Sequence, residues 1–169
     1  MIQSILSYQV NYFLLFISLF SYLIGSVSFA ILISKARGLD DPRAHGSNNP
    51  GATNVMRTGD SFAALLTLAG DAFKGFLAVF LVKIFWVDTP LTQDETIMVS
   101  VSMISVFMGH LFPVFFKFKG GKGVATSGGI LIGIDAFLGI SVFCVWLFIY
   151  CLFSISSIAA LSSALAAIF

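Results

Sequence analysis

The sequence predicts an all-α integral membrane protein, a compact bundle of five to six membrane segments with its N-terminus outside. Two observations carry this. Hydrophobic residues make up 58% of the 169 and charged residues only 10%, with a mean hydropathy of +1.00, which leaves too little polar surface for a soluble domain. Several apolar runs also approach the roughly 20 residues needed to cross a bilayer. The net charge of +1 excludes a strongly basic nucleic-acid binder, and no nucleic-acid-binding signature interrupts the apolar segments.

Taken in order, the N-terminus has no Lys or Arg ahead of its first apolar run and so lacks the positive region of a cleavable signal. The spacing predicts one helix over Val10–Ser34, closed by Lys35 and Arg37 as interfacial anchors, with Gly25, Ser26, Ser28 and Ala30 forming a small-residue face for a close helix contact. A polar loop follows, to about Asp60. The second span, Ser61–Trp86, carries Asp71 and Lys74, whose i, i+3 spacing places them on one helical face. They read either as an internal ion pair or as a charged face turned to a polar cavity, since a lone charge at the bilayer centre costs about 2.5–3.5 kcal/mol on insertion scales.

An acidic loop, Val87–Thr96, holds Asp88, Asp94 and Glu95 and leads to a third span, Ile97–Phe116, with Gly109, His110 and Pro113 near its end. Beyond it, Val124–Ile134 is too short to cross and reads as a short or tilted helix, set off by Asp135 from a full span at Ala136–Phe153. Serines at 154, 156 and 157 then make a brief polar break before a last, incomplete helix over Ser157–Phe169. Cys144 and Cys151 supply too few ligands for a metal site and read as small core or lipid-facing residues.

Two stretches carry the chemistry. The run RAHGSNNPGATNVMRT, Arg43–Thr58, gathers Ser47, Asn48, Asn49, Thr53, Asn54 and Arg57 with almost nothing to form a core. Gly46 and Gly51 free its backbone to turn N–H groups inward, which suits an anion site, while a solvated connecting loop is the plain alternative. The second stretch, KFKGGKGVAT, sets Lys122 among Gly120, Gly121 and Gly123, a backbone able to wrap a phosphate around a cation. It is not a nucleotide-binding P-loop, because Phe116 and Gly123 stand where that motif needs glycine and Ser or Thr. No cofactor or metal motif is present.

Seven of the nine basic residues lie in or beside these two loops, namely Lys35, Arg37, Arg43, Arg57, Lys117, Lys119 and Lys122. The positive-inside rule therefore puts both loops on the cytoplasmic face, where they could share one anion site with His110 about a turn below.

The order GSVSFA, HGSNNPGATNVMRTG, GDAFKG and GHLFPVFFKFKGGKGVAT resembles the acyl-phosphate:glycerol-3-phosphate acyltransferase family, the PlsY family, over Gly25 to about Ser163. The resemblance implies seven membrane helices and a single membrane domain over 1–169, in the bacterial cytoplasmic (inner) membrane, with its active site on the cytoplasmic face. It also implies transfer of an acyl group from acyl phosphate to the 1-hydroxyl of sn-glycerol 3-phosphate, giving lysophosphatidic acid and phosphate, a step in phospholipid biosynthesis. By the same resemblance Ser47 and Arg57 contact one phosphate, Asn49, Gly51, Thr53 and Asn54 position glycerol 3-phosphate, and Lys122 with Gly120, Gly121, Gly123 and Thr126 holds the other phosphate.

Two departures stand out. Many family members have glycine where this sequence has Asn48, and the family continues past Phe169 into a further helix and a tail with site-forming His, Asn and Arg, so the chain is expected to be a shortened version. His110 is a candidate general base or a structural hydrogen-bond donor. The His-to-Asp box of acyl-CoA-dependent glycerolipid acyltransferases follows neither His45 nor His110. The competing classes are a small anion carrier, which internal repeats would favour and which this sequence lacks, and a membrane scaffold. The expected partners are glycerol 3-phosphate, acyl phosphate and membrane lipids, with no nucleic acid.

Overall fold

The structure, a computed structural model, describes the backbone of residues 2–86 and 95–168 and the side chains of residues 12–85 and 96–168. Every regular element among the described residues is helical. In order they are α1 (Ile2–Gly25), α2 (Phe29–Ala36), α3 (Ala52–Met56), α4 (Ser61–Trp86), α5 (Glu95–Leu111), a 3-10 turn (Val114–Phe116), α6 (Val124–Ile134), α7 (Ala136–Phe153) and α8 (Ser156–Ala166). Four stretches are long and apolar enough to cross a membrane: Tyr12–Ala36, Ser61–Phe85, Thr96–Phe116 and Ala136–Phe153. α6 and α8 are shorter apolar helices. The acidic Asp88 and Asp94 of the expected second loop lie outside the described residues, and α5 already begins at Glu95.

The first span departs from the unbroken helix expected over Val10–Ser34. It breaks between Gly25 and Phe29, where Ser26 and Val27 make only turn bonds back to Tyr22 and Ile24. A break inside a membrane leaves backbone groups that lipid cannot satisfy, so neighbouring helices must. α4 does this with the charged pair read from the sequence. Lys74 Nζ donates to the freed carbonyl of Val27 at 2.6 Å and pairs with Asp71 at 3.0 Å, while Asp71 faces the Phe29 N–H that opens α2. The pair is internal and buried, as one of the two sequence readings had it.

Close backbone contacts hold the bundle. A Cβ on Gly25 would collide with the Val106 carbonyl and one on Gly109 with that of Tyr22, so α1 and α5 touch through bare backbone. Gly75 and Gly129 do the same for α4 and α6, against the Thr126 and Ala72 carbonyls. Serines tie the same seams: Ser18 to Ser105 at 3.1 Å, Ser21 to Ser102 at 2.9 Å, and Ser102 to the Ala78 carbonyl at 3.0 Å.

The short α6 is finished by partners at its far end. Lys83 Nζ donates to the Ile134 and Gly133 carbonyls at 2.9 and 3.3 Å, and Asp135 caps α7 by accepting from the Leu138 N–H at 2.9 Å. Cys144 and Cys151 are free and exposed on α7.

Candidate active site

The polar loop between α2 and α4 is more ordered than its composition suggests, which corrects the expectation that it has almost nothing to pack. Val55 is fully buried with Ala30, Ala63 and Ala64, and Pro42 and Pro50 are buried as well. Asn54, 1% exposed, is the staple. Its amide nitrogen donates to the Pro42 and His45 carbonyls at 2.5 and 3.0 Å, and its oxygen accepts from the Ser47 N–H and from Arg57 Nη1, both at 3.2 Å. Expected to position substrate, Asn54 is bonded within the loop that carries Ser47 and Arg57. An Asn54→Ala change removes four bonds from a buried position, so we expect at least about 2 kcal/mol of lost stability, read from thermal unfolding in detergent.

The backbone follows the same plan. Gly46, at φ +59°, lies where a Cβ would strike Asn54 Oδ1 and the Arg57 guanidinium, and Asn48 takes φ +55°, a left-handed turn that asparagine tolerates and glycine also suits. Ser47 and Arg57 are exposed beside each other's partners, Asn49 and Thr53 are half-buried, and Gly51 opens α3 with the Asn49 amide pressed against it.

The two ends of the loop are clasped. Arg37 Nε meets Asp60 at 2.5 Å and its guanidinium lies 5.5 Å from the centre of the Phe62 ring, while Asp60 accepts from the Ala63 N–H at 2.8 Å to start α4. The Ala63 N–H, and next the Arg37 guanidinium, hold the Asp60 carboxyl below the usual carboxylate range, and Arg43 does the same for Asp41. Depressed carboxylates contribute above their unfolded values and lose that contribution as pH falls through the lowered ones. The clasp is therefore predicted to hold unchanged across neutral pH and to open only in acid, a transition that hydrogen exchange of the loop amides against pH would detect.

The glycine loop is pinned to the end of α5. Gly121 donates its N–H to the His110 carbonyl at 3.1 Å, and a Cβ on Gly120 would run into the His110 and Leu111 carbonyls. Gly123, at φ +80°, turns the chain into α6 against the Phe107 ring. These glycines thus serve close approach as well as freedom to turn, and the Gly121 N–H, expected at a phosphate, is already engaged. Lys122 is exposed at the start of α6, where the first N–H groups have no helical acceptor.

His110, 7% exposed, has Nδ1 3.0 Å from the Thr126 hydroxyl and 3.7 Å from Asp71, with Gly121 against its other ring nitrogen. Thr126, expected at the phosphate, is fully buried on this bond. His110 and Thr126 together lock α5 to α6 beneath the loop.

Both loops lie at one end of the bundle. α5 ends where His110 faces Asp71, so the glycine loop opens toward the end from which α4 starts, and the polar loop enters α4 at that end. Beside the glycine loop opens an apolar groove of about 560 Å³ lined by Leu68, Phe107, Val142, Phe143 and Trp146, with Lys122 as its cation. The Trp146 ring stacks on Tyr150 at 5.1 Å, and the Tyr150 hydroxyl reaches Met56 Sδ at 3.8 Å, one residue from Arg57. The groove therefore touches Lys122 directly and the Arg57 segment through two aromatic rings. Sequence reasoning missed Trp146 and Tyr150, whose only signal was aromatic residues four apart on an apolar helix.

Known proteins agree with this architecture. A family model described as glycerol-3-phosphate acyltransferase matches residues 15–169. A protein of that name from Paraburkholderia phytofirmans is 53% identical over 150 residues, covering 89% of this chain and 69% of the relative. One from Ralstonia pickettii is 53% identical over 152 residues, covering 90% and 72%. Two crystal structures of PlsY, an integral membrane glycerol 3-phosphate acyltransferase, superpose with TM-scores of 0.79 and 0.77 at 34% and 33% identity, covering 91% of this chain and 74% and 73% of theirs. The first is a glycerol 3-phosphate form and the second a lysophosphatidic acid form. With its broken first span, its two donor-rich loops and its apolar groove, the chain belongs to the PlsY family of membrane glycerol-3-phosphate acyltransferases.

Proposed function

We propose that this chain transfers a fatty acyl group from acyl phosphate to the 1-hydroxyl of sn-glycerol 3-phosphate, releasing lysophosphatidic acid and inorganic phosphate. The observation that carries this is the position of Lys122 on a largely apolar groove, whose other polar lining is Ser127 and Ser163: one cation on a hydrocarbon-walled channel suits a ligand with an acyl tail and a phosphate head. Lys122 and the free N–H groups at the start of α6 take the acyl phosphate. Ser47 and Arg57, with Asn49, Gly51 and Thr53 around them, take glycerol 3-phosphate. The hydroxyl oxygen attacks the acyl carbon, an ester C–O bond forms, and the C–O bond to phosphate breaks. The hydroxyl proton passes to a phosphate oxygen of the donor, and Lys122 stabilises the departing phosphate. Phosphate is a good leaving group, so no protein nucleophile is needed.

We read the 169 residues as one membrane domain in the bacterial cytoplasmic membrane with both loops in the cytoplasm, which the clustering of seven of the nine basic residues supports. Purified protein supplied with acyl phosphate and glycerol 3-phosphate should yield lysophosphatidic acid, and acyl-CoA should not replace the donor. Phosphate flux into liposomes without acyl transfer would instead identify a carrier.

In this mechanism His110 is a positioning residue, its Nδ1 on Thr126. Asparagine can place an amide near the Nδ1 position, so His110→Asn should keep turnover within about tenfold of wild type, whereas loss of a general base would cost about 10²–10⁴-fold. The kcat of that variant decides between the two roles.

A further inference from the structure

The turn leading into the Lys122 loop carries a surface that neither packing nor acyl transfer uses. Phe115 and Phe118 are 59% and 58% exposed, with Phe112 and Val114 also exposed beside them. Lys117 and Lys119 alternate with these rings and have no ion-pair partner among the described residues. Of the acids in the polar loop, Asp41 is paired with Arg43 and Asp60 with Arg37, and the exposed Asp40 makes no ion pair with either lysine.

This is a built feature. Lys117 and Phe118 adopt φ of +57° and +59° in succession, a conformation disfavoured for residues with a Cβ that persists only when the surroundings impose it. The surroundings do so. Phe118 donates its N–H to the Pro113 carbonyl at 2.9 Å, Tyr22 donates its hydroxyl to the Phe112 carbonyl at 2.6 Å, and the Val114 N–H donates to Ser26 Oγ at 3.3 Å. The apolar crossing stretch Thr96–Phe116 ends one residue before Lys117, so the turn sits at the boundary between hydrocarbon and headgroups.

We propose that the Pro113–Lys119 turn is a binding surface for the headgroups of anionic phospholipids in the surrounding bilayer. Phe115 and Phe118 enter the acyl boundary while Lys117 and Lys119 meet the lipid phosphates. A soluble phosphate would need the lysines alone, whereas a lipid accounts for the exposed rings between them. Because Gly121 is bonded to the His110 carbonyl, the turn and the Lys122 loop are fastened to the same end of α5, and a lipid held here rests beside the catalytic cation.

The test places the full chain in nanodiscs and measures, by electron spin resonance, the association of spin-labelled phosphatidylglycerol relative to spin-labelled phosphatidylcholine. Lys117→Gln/Lys119→Gln should lower that preference about threefold, and Lys117→Arg/Lys119→Arg should retain it. Inorganic phosphate added at constant ionic strength should leave it unchanged. An unaltered preference in the glutamine pair overturns the proposal, as does loss of the wild-type preference to inorganic phosphate, which would mark a soluble-anion site. The readout is lipid association, so it stands apart from whether the chain transfers acyl groups.

Discussion

Lys122→Gln is expected to lower kcat/KM by about 10²–10³-fold in a protein that still folds. The side chain is exposed and makes no hydrogen bond or ion pair among the described residues, so its removal should leave the bundle intact. In the proposed mechanism its charge matters when the anhydride breaks and negative charge collects on the departing phosphate, at a mouth walled by hydrocarbon. Glutamine keeps a donor on a slightly shorter side chain but lacks the charge. Lys122→Arg should recover part of the loss, since it restores charge with a different shape. Steady-state kinetics on the three proteins, with unfolding midpoints as a control, check this.

Lys74→Met should have the largest effect on stability, about 3–5 kcal/mol. It removes the partner of Asp71, which is 2% exposed, and leaves the Val27 carbonyl at the break in the first span without a donor. The cost comes from what stays behind. Asp71→Asn combined with Lys74→Met removes the stranded charge and should recover part of the stability, leaving the Val27 carbonyl as the remaining defect. Unfolding midpoints in detergent for the single and double variants separate the two contributions. Because Ser26, in the same break, accepts from the Val114 N–H, the single variant should also loosen the turn ahead of the Lys122 loop.

Much of the helical plan was legible. The limits of α4, α6 and α7 fall where apolar runs start and stop, and the i, i+3 spacing put Asp71 and Lys74 on one face, where they meet at 3.0 Å, one of the two readings left open. The break after Gly25 was not legible, because Gly25–Ala30 reads equally well as a small-residue face on a continuous helix. What stabilises the break lies on α4, more than 40 positions on, and no local pattern reports it. Lys83 had a readable signal, a charge inside an apolar run, but its acceptors at Gly133 and Ile134 depend on how α6 packs.

The candidate site was legible as a set of residue types and much less as a set of roles. Asn54 and Thr126 look like donors for a ligand in the sequence, yet both sit buried among protein partners, and Gly120 and Gly121 lie against the carbonyls at the end of α5. Composition tells which groups could bind an anion. Burial decides which of them are still free to do so.

Each loop is assigned the phosphate of a different substrate at one end of the bundle. Measuring KM for both substrates in Arg57→Gln and Lys122→Gln tests this most directly. Arg57→Gln should raise KM chiefly for glycerol 3-phosphate and Lys122→Gln chiefly for acyl phosphate. If Arg57→Gln keeps wild-type kinetics toward glycerol 3-phosphate, or if the two variants shift the same single substrate, the assignment of one loop to each phosphate is contradicted.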